Sequence, residues 1–301
     1  MSKARRSQPP IEDTHRSDWG TFEYTLRDDK GLLLIAEMKF VPYDLLGQWL
    51  DPDLAPAIDE LRNEEQSKTK GKKPRGGKRK GVPWPRDCKK RLHATAELVR
   101  RWDEKMHFAR RWKPWEHEPA WARISAAGLR NLGLDWPEIE FPEDPHKLTL
   151  ASHTYQVINR RLHLARGGSN APAHQWISER KIYVDQVRKL GADAERAHRP
   201  DGVMRLEVDG SYPLTRGEIV IEHIPLKKGQ TVAIEEELSC KGSERLGKGI
   251  LRSLLSQYDF AWYFCHDEEI YNKVIAARRD YLRTDDERKR IRILRIEKEK
   301  G

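Results

Sequence analysis

Apolar positions recur three and four residues apart in some stretches of the chain and at every second residue in others, which separates predicted helices from predicted strands. Leu32, Leu33, Ile35 and Ala36 predict a first helix. Phe40-Val41-Pro42 follows, and a second helix to Leu50 sets Leu45, Leu46, Trp49 and Leu50 on one side. Two short helices across a tight turn suggest the opening of a helix-turn-helix. Asp51 to Glu65 can form another helix, after which Ser67 to Pro85 is rich in Lys, Gly and Pro and has no core pattern. The helical period returns from Arg86 to Glu104, with Leu92, Ala96, Val99 and Trp102 facing inward while Lys89, Lys90, Arg91, Arg100 and Arg101 point elsewhere. Phe108 to Trp112 and Ala120 to Ile124 read as a hairpin around Pro114, and Ser125 caps a short helix ending at Gly133. That order predicts a winged helix-turn-helix. The helix Arg86 to Glu104 would enter the major groove, and a wing with Arg110, Arg111 and Lys113 would touch phosphate. A core-forming helix pair has the same pattern, so periodicity alone leaves both readings open.

An acidic, proline-rich strip from Pro137 to Pro145 marks a domain boundary. The predicted layout is an arm over 1–20, a DNA-binding module over 21–135 with a basic loop at 67–85, a linker over 136–147 and a second domain over 148–298. In that domain Thr149 or Ser152 caps a helix whose inward positions are Ala151, Tyr155, Ile158, Leu162 and Ala165, up to Gly167-Gly168. A strand includes Trp176 and Ile177, with Glu179 near its end. Arg199-Pro200-Asp201-Gly202 leads into a strand to Val208, Asp209-Gly210 marks a hairpin turn, and the partner strand is Thr231 to Leu238. A helix from Ser243 to Gln257, a strand from Phe260 to Cys265, a helix from Asp267 to about Tyr281 and a strand from Ile291 to Ile296 complete a mixed α/β sandwich.

Composition sharpens this picture in two ways. Ten tryptophans within a chain of mean hydropathy −0.85 argue for a packed protein with polar excursions. No run approaches the roughly 18 to 20 apolar residues of a membrane span, and the first residues lack an apolar signal core, so a soluble cytoplasmic protein is expected. Cys88, Cys240 and Cys265 are far apart without zinc-ligand spacing and read as reduced structural residues. The net charge of +9 is unevenly spread: Gln66 to Lys113 holds 18 basic against 4 acidic residues, a local +14. Such a field attracts polyphosphate through counterion release. DNA is the expected partner, RNA fits the charge equally well, and a solvated basic loop is the plain alternative.

The candidate chemistry lies on the predicted strands. Side chains alternate along a strand, so Glu235 and Glu237 share a face about 6.5 to 7 Å apart and Glu236 points away. Asp201 on the neighbouring strand can add a third carboxylate, and Asp201, Glu235 and Glu237 together suit a hard divalent ion, Mg²⁺ or Mn²⁺. Pro-Asp-Gly is also an ordinary turn and Glu235 to Glu237 an ordinary strand end, and spacing does not choose between them. Arg245, Lys248 and Arg252 share a stripe of the following helix and can hold a DNA strand beside that ion, or simply face solvent. His153 faces core or cleft, where a lone histidine is more often structural.

Ile124-Ser-Ala-Ala-Gly-Leu129, Leu150-Ala-Ser-His153 to Asn159-Arg-Arg-Leu162, Trp176-Ile-Ser-Glu-Arg180, Arg199-Pro-Asp-Gly202 and Ala233-Ile-Glu-Glu-Glu-Leu238, in that order, resemble the replication-relaxation family of actinobacterial plasmids and integrative elements. The similarity spans roughly residues 30 to 285. It implies a winged helix followed by a PD-(D/E)XK nuclease-like domain. Asp201 then matches the PD aspartate and Glu235 the first acid of the second motif. The lysine position holds Glu237, a departure that puts turnover in doubt. Lys241, four residues on, is the replacement cation or a phosphate contact. The implied activities are a metal-dependent endonuclease or nicking enzyme, or an inactive nuclease fold serving as a DNA-binding regulator or dimerisation module, with a homodimer as a further expectation.

Overall fold

The first helix, α1 (Leu26–Met38), starts where Thr25 donates its backbone N–H and its hydroxyl to the Asp28 carboxylate, both at 2.8 Å. Asp28 is fully buried and also accepts from Trp102 Nε1 at 2.6 Å and from the Arg101 guanidinium. One satisfied carboxylate therefore ties the start of α1 to the end of α3 (Arg86–Glu104). Between them come β1 (Phe40–Pro42) and α2 (Tyr43–Leu50). Strands β2 (Ala109–Trp112) and β3 (Trp121–Ile124) pair antiparallel, and β1 adds to the other edge of β3, giving the order β1-β3-β2. Helix α4 (Ala126–Asn131) begins at Ser125, whose Oγ accepts from Gly128 N at 3.1 Å.

This computed structural model describes residues 24–52, 86–113, 120–139, 148–166, 173–196, 198–216 and 219–296. The arm at 1–20, most of the Asp51 to Glu65 helix, the basic loop 67–85, the Pro114 turn, 140–147 of the linker, Gly167-Gly168 and the final residues of the second domain lie outside the described residues.

The second half contributes α5 (Leu148–Arg166), β4 (His174–Ser178), α6 (Glu179–Leu190), a 3₁₀ turn at Gly191–Arg196 and β5 (Gly202–Leu206). A ribbon of β6 (Gly210–Arg216) and β7 (Ile219–Leu226) precedes β8 (Thr231–Glu237). A π-helical stretch, Arg245–Leu251, runs into α7 (Arg252–Gln257), then β9 (Phe260–Cys265), α8 (Glu268–Tyr281), α9 (Asp285–Arg290) and β10 (Ile291–Arg295). Five strands form a mixed sheet in the order β10-β9-β8-β5-β4. The strands β8, β9 and β10 are parallel, which requires the helical crossovers found between them; β5 runs antiparallel to both β8 and β4. Among the described residues no helix is long and apolar enough to cross a membrane.

Alternation along the strands builds a core on each face of this sheet. Val232, Ile234, Trp262, Phe264 and Leu294 face the α5 residues Val157, Ile158 and Leu162, and this core continues into Leu32, Ile35, Leu45 and Trp102 of the first half. Ala233, Ala261, Tyr263, Cys265 and Ile291 face Leu246, Ile250, Leu254, Ile270 and Val274 from the π stretch, α7 and α8. Each large apolar side chain so buried contributes about 1.5 to 3 kcal/mol. Polar contacts join the halves as well: Arg161 to Glu37 at 2.5 Å, Lys39 to Glu179 at 2.5 Å, and Arg180 to the Ala36 carbonyl at 2.6 Å.

Several expectations change. Helix α5 starts at Leu148, so Thr149 and Ser152 lie inside it, and its inward positions include Leu164 while Ala165 is exposed. Asp209-Gly210 is not the turn between the two acid-bearing strands, because the β6–β7 ribbon is inserted between β5 and β8. Cys265 is buried as expected, but Cys240 is exposed.

Candidate acidic site

Strand register brings the acids together. Gly202 pairs with Ile234, so one further step of the antiparallel ladder sets Asp201 opposite Glu235. Asp201 Oδ2 accepts from the Glu236 backbone N at 2.7 Å, which fixes the aspartate against β8. Gly202 is required here, since a Cβ would collide with the Trp176 ring that covers it. Because β8 and β9 are parallel, Glu235 and Glu237 lie at their carboxyl ends, beside Tyr263 and Cys265 respectively. Ligand crevices of open α/β sheets form at this end of the strands.

Glu235, Glu236 and Glu237 are each no more than 4% exposed. Three carboxylates out of water are tolerated only with partners, and each has at least one. On the face shared with Tyr263, His198 Nε2 stands 2.7 Å from Glu235 Oε1 and Lys241 Nζ donates to Glu237 Oε2 at 2.6 Å. On the opposite face Glu236 accepts from Arg160 Nε at 2.5 Å and lies 2.6 Å from His266 Nε2, with the Arg160 guanidinium 3.8 Å from the Phe264 ring centre. Asp201 Oδ1 is 3.2 Å from His153 Nε2. Lys241 thus reaches back to the acid that replaces the expected lysine. The Tyr263 hydroxyl, fully buried on the Glu235 face, has no hydrogen-bond partner among the described residues.

Burial pushes the Glu235 carboxyl up to about 7, against the opposing pull of His198 and with further upward pressure from the Asp201 charge. Burial works against a charge on His153, but its hydrogen bond to Asp201 and that residue's charge outweigh this and raise the imidazole above its usual range. Burial, then the charges of Glu235, Glu237 and Asp201, hold the Tyr263 phenol well above its ordinary value. Burial and Glu237 push the Cys265 thiol up to about 12. All these shifts express the same physics: negative charge in a poorly solvated corner is unfavourable until a cation shares it.

An all-oxygen donor set of Asp201, Glu235 and Glu237 fits a hard divalent cation, and the unpartnered Tyr263 hydroxyl beside them fits a further acceptor. In the present side-chain arrangement each acid instead turns to its own histidine or lysine, and no group of three or more His, Cys, Asp or Glu among the described residues is arranged to hold a metal ion.

The expected nucleic-acid contacts are placed unevenly. Lys89, Lys90 and Arg91 lie on α3, but their side chains fall outside the described residues. Arg100 pairs with Glu97 at 2.7 Å and Glu104 at 3.0 Å; Arg110 and Arg111 pair with Asp103, and Arg111 also with Glu104. Arg101 is committed to Asp28. Lys113 is exposed at the end of β2. The π stretch bonds residue i to i+5, so residues three apart are no longer on one stripe. Arg245 is exposed, Lys248 pairs with Glu244 at 2.9 Å, and Arg252 donates to the Tyr281 carbonyl at 2.9 Å.

Sequence reasoning missed Arg160, His198, His266 and Tyr263. Only His198, three residues before Asp201, carried a signal in its spacing. Arg160 and His266 are drawn in by helix packing and by a strand crossover, neither of which a spacing rule reveals. The chain matches no family model, no curated protein and no solved structure.

Proposed function

We propose that the chain is a DNA-binding protein of a plasmid or mobile element, similar to the replication-relaxation family, that hydrolyses phosphodiester bonds as a divalent-cation-dependent endonuclease or nicking enzyme. One observation carries the reading: Asp201 at the head of β5 stands opposite Glu235 on β8, with Glu237 two residues further on the same face of β8, at the carboxyl ends of two parallel strands. The order α5, β4, α6, β5, β8, α7, β9, with the β6–β7 ribbon inserted between β5 and β8, supports a PD-(D/E)XK-type domain, and the order α1, β1, α2, α3, β2, β3 with the sheet β1-β3-β2 supports a winged helix. Asp201, Glu235 and Glu237 would hold Mg²⁺ or Mn²⁺, which supplies polarisation of the phosphate and a more acidic attacking water. Lys241 balances charge beside Glu237, and His198 and His153 hold the other two acids in their present arrangement.

A second reading has its own support. Each acid already has an internal partner in His153, His198 or Lys241, and Glu237 stands where the motif has lysine. On that basis the domain is an inactive nuclease fold serving a DNA-binding regulator. Incubating supercoiled plasmid and single-stranded DNA with Mg²⁺ or Mn²⁺ separates the two. Cleavage that disappears in Asp201→Ala is expected; equal behaviour of both proteins favours the regulator. Deleting Lys68 to Lys80 should weaken DNA binding and flatten its salt dependence, by about 0.9 in the log–log slope for each DNA phosphate that the segment neutralises.

A further inference from the structure

The face of the sheet that carries Glu235 and Glu237 is otherwise lined by apolar side chains: Ala233, Ala261, Leu246, Ile250 and Ile291. Tyr263 is the fully buried tyrosine among them. Its ring packs in that cluster as a phenylalanine would, and its hydroxyl pairs with nothing among the described residues. A hydroxyl buried without a partner destabilises a fold unless an acceptor reaches it in another state of the molecule. The register places that acceptor. Glu235 is the direct neighbour of Tyr263 across the β8–β9 ladder, and neighbouring positions on parallel strands project from the same face. Glu235 is turned to His198 instead, at 2.7 Å.

We propose that Tyr263 is a positioning residue of the acidic corner: when a divalent cation draws the Glu235 carboxylate away from His198, the Tyr263 hydroxyl donates to that carboxylate and holds it on the cation. The Glu235 carboxylate thus has two anchors, His198 in the cation-free protein and Tyr263 in the loaded one. Burial and the neighbouring acids hold the phenol's pKa well above its ordinary value, so the hydroxyl is a donor at neutral pH. Hydrogen bonds to metal-ligating carboxylates act this way generally, and their loss costs ten- to a hundredfold in metal affinity. Because the hydroxyl works through a cation ligand, its role rests on the cation site proposed above.

The test is Mn²⁺ binding to the full chain by calorimetry, alongside the melting temperature of the cation-free protein, for wild type, Tyr263→Phe, Tyr212→Phe and Asp201→Ala. Tyr263→Phe keeps the ring and removes only the unpartnered hydroxyl. It should weaken Mn²⁺ binding by about tenfold or more while leaving the cation-free melting temperature unchanged or raised. Tyr212 is the contrast: its hydroxyl donates to the Leu164 carbonyl at 2.8 Å in the core on the other face, so Tyr212→Phe should lower the melting temperature and leave Mn²⁺ affinity alone. Equal Mn²⁺ affinity in Tyr263→Phe and wild type overturns the role of Tyr263 but not the cation site. A melting temperature that falls in Tyr263→Phe as it does in Tyr212→Phe also overturns it, by revealing an internal partner. Wild type that binds Mn²⁺ no better than Asp201→Ala overturns the cation site, and the role of Tyr263 with it.

Discussion

At the scale of single residues, the acidic corner is governed by the imbalance between buried negative charge and the cations that reach it. Glu235 shows this most directly, its carboxyl pushed up to about 7 by burial. A group whose folded pKa lies above its unfolded value near 4.5 favours the folded state at low pH. Its contribution is complete below about 4.5 and is lost as pH rises through 7. His153, raised by Asp201 beyond its usual range, contributes with the same sign. Glu235→Gln should therefore lose much of the decline in stability between pH 5 and pH 8, and at pH 8 should exceed wild type by on the order of 2 to 3 kcal/mol in urea unfolding. Parallel pH profiles for the two proteins would show that Glu235 is not strained by burial. The strand alternation of Glu235 and Glu237 against Glu236 was legible in the sequence, because a period of two is a local property. The partners were not: His198, Arg160 and His266 come from a loop, a helix and a strand end that only the folded chain brings near.

At the scale of elements, the chain's apolar positions locate most helices and strands, including α2, α3 and α8 by their helical spacing and β9 as a continuous apolar run buried on both faces. The β6–β7 ribbon escaped because Gly210, Pro213 and Pro225 blur its alternation, and α9 because it buries none of its residues. The π winding of Arg245–Leu251 was also invisible, and it disperses the basic stripe that an α-helix would have made. The junction of Asp201 with β5 depends on close packing: the Trp176 ring lies where a side chain at Gly202 would be. Gly202→Ala should lower stability by about 1 to 3 kcal/mol through overpacking. Asp201 should lose its fixed position against β8, seen as a change in tryptophan fluorescence together with the lower melting temperature. A variant with wild-type stability and fluorescence would show that the ring can move without cost.

At the scale of the whole molecule, the sequence divides into two modules at the acidic strip, yet the described residues on either side share one apolar core. Trp102, Leu45 and Ile35 belong to the same cluster as Trp176, Trp262 and Phe264, and Arg161, Arg180 and Lys39 bridge the halves. A composition change marks where the chain is polar but not what its neighbours pack against, so the shared core was hidden. A core of this continuity predicts one cooperative transition in calorimetry for both halves, and two well-separated transitions would contradict it. Rigid coupling also suits the proposed division of labour, in which the first half holds DNA while the corner at Asp201 acts on its backbone. The most direct measurement of that division is anomalous diffraction from crystals of the protein soaked in Mn²⁺. A single strong peak is expected about 2.1 Å from carboxylate oxygens of Asp201, Glu235 and Glu237, with Glu235 released from His198. No peak there, with the three acids still held by His153, His198 and Lys241, would contradict a cation-dependent site.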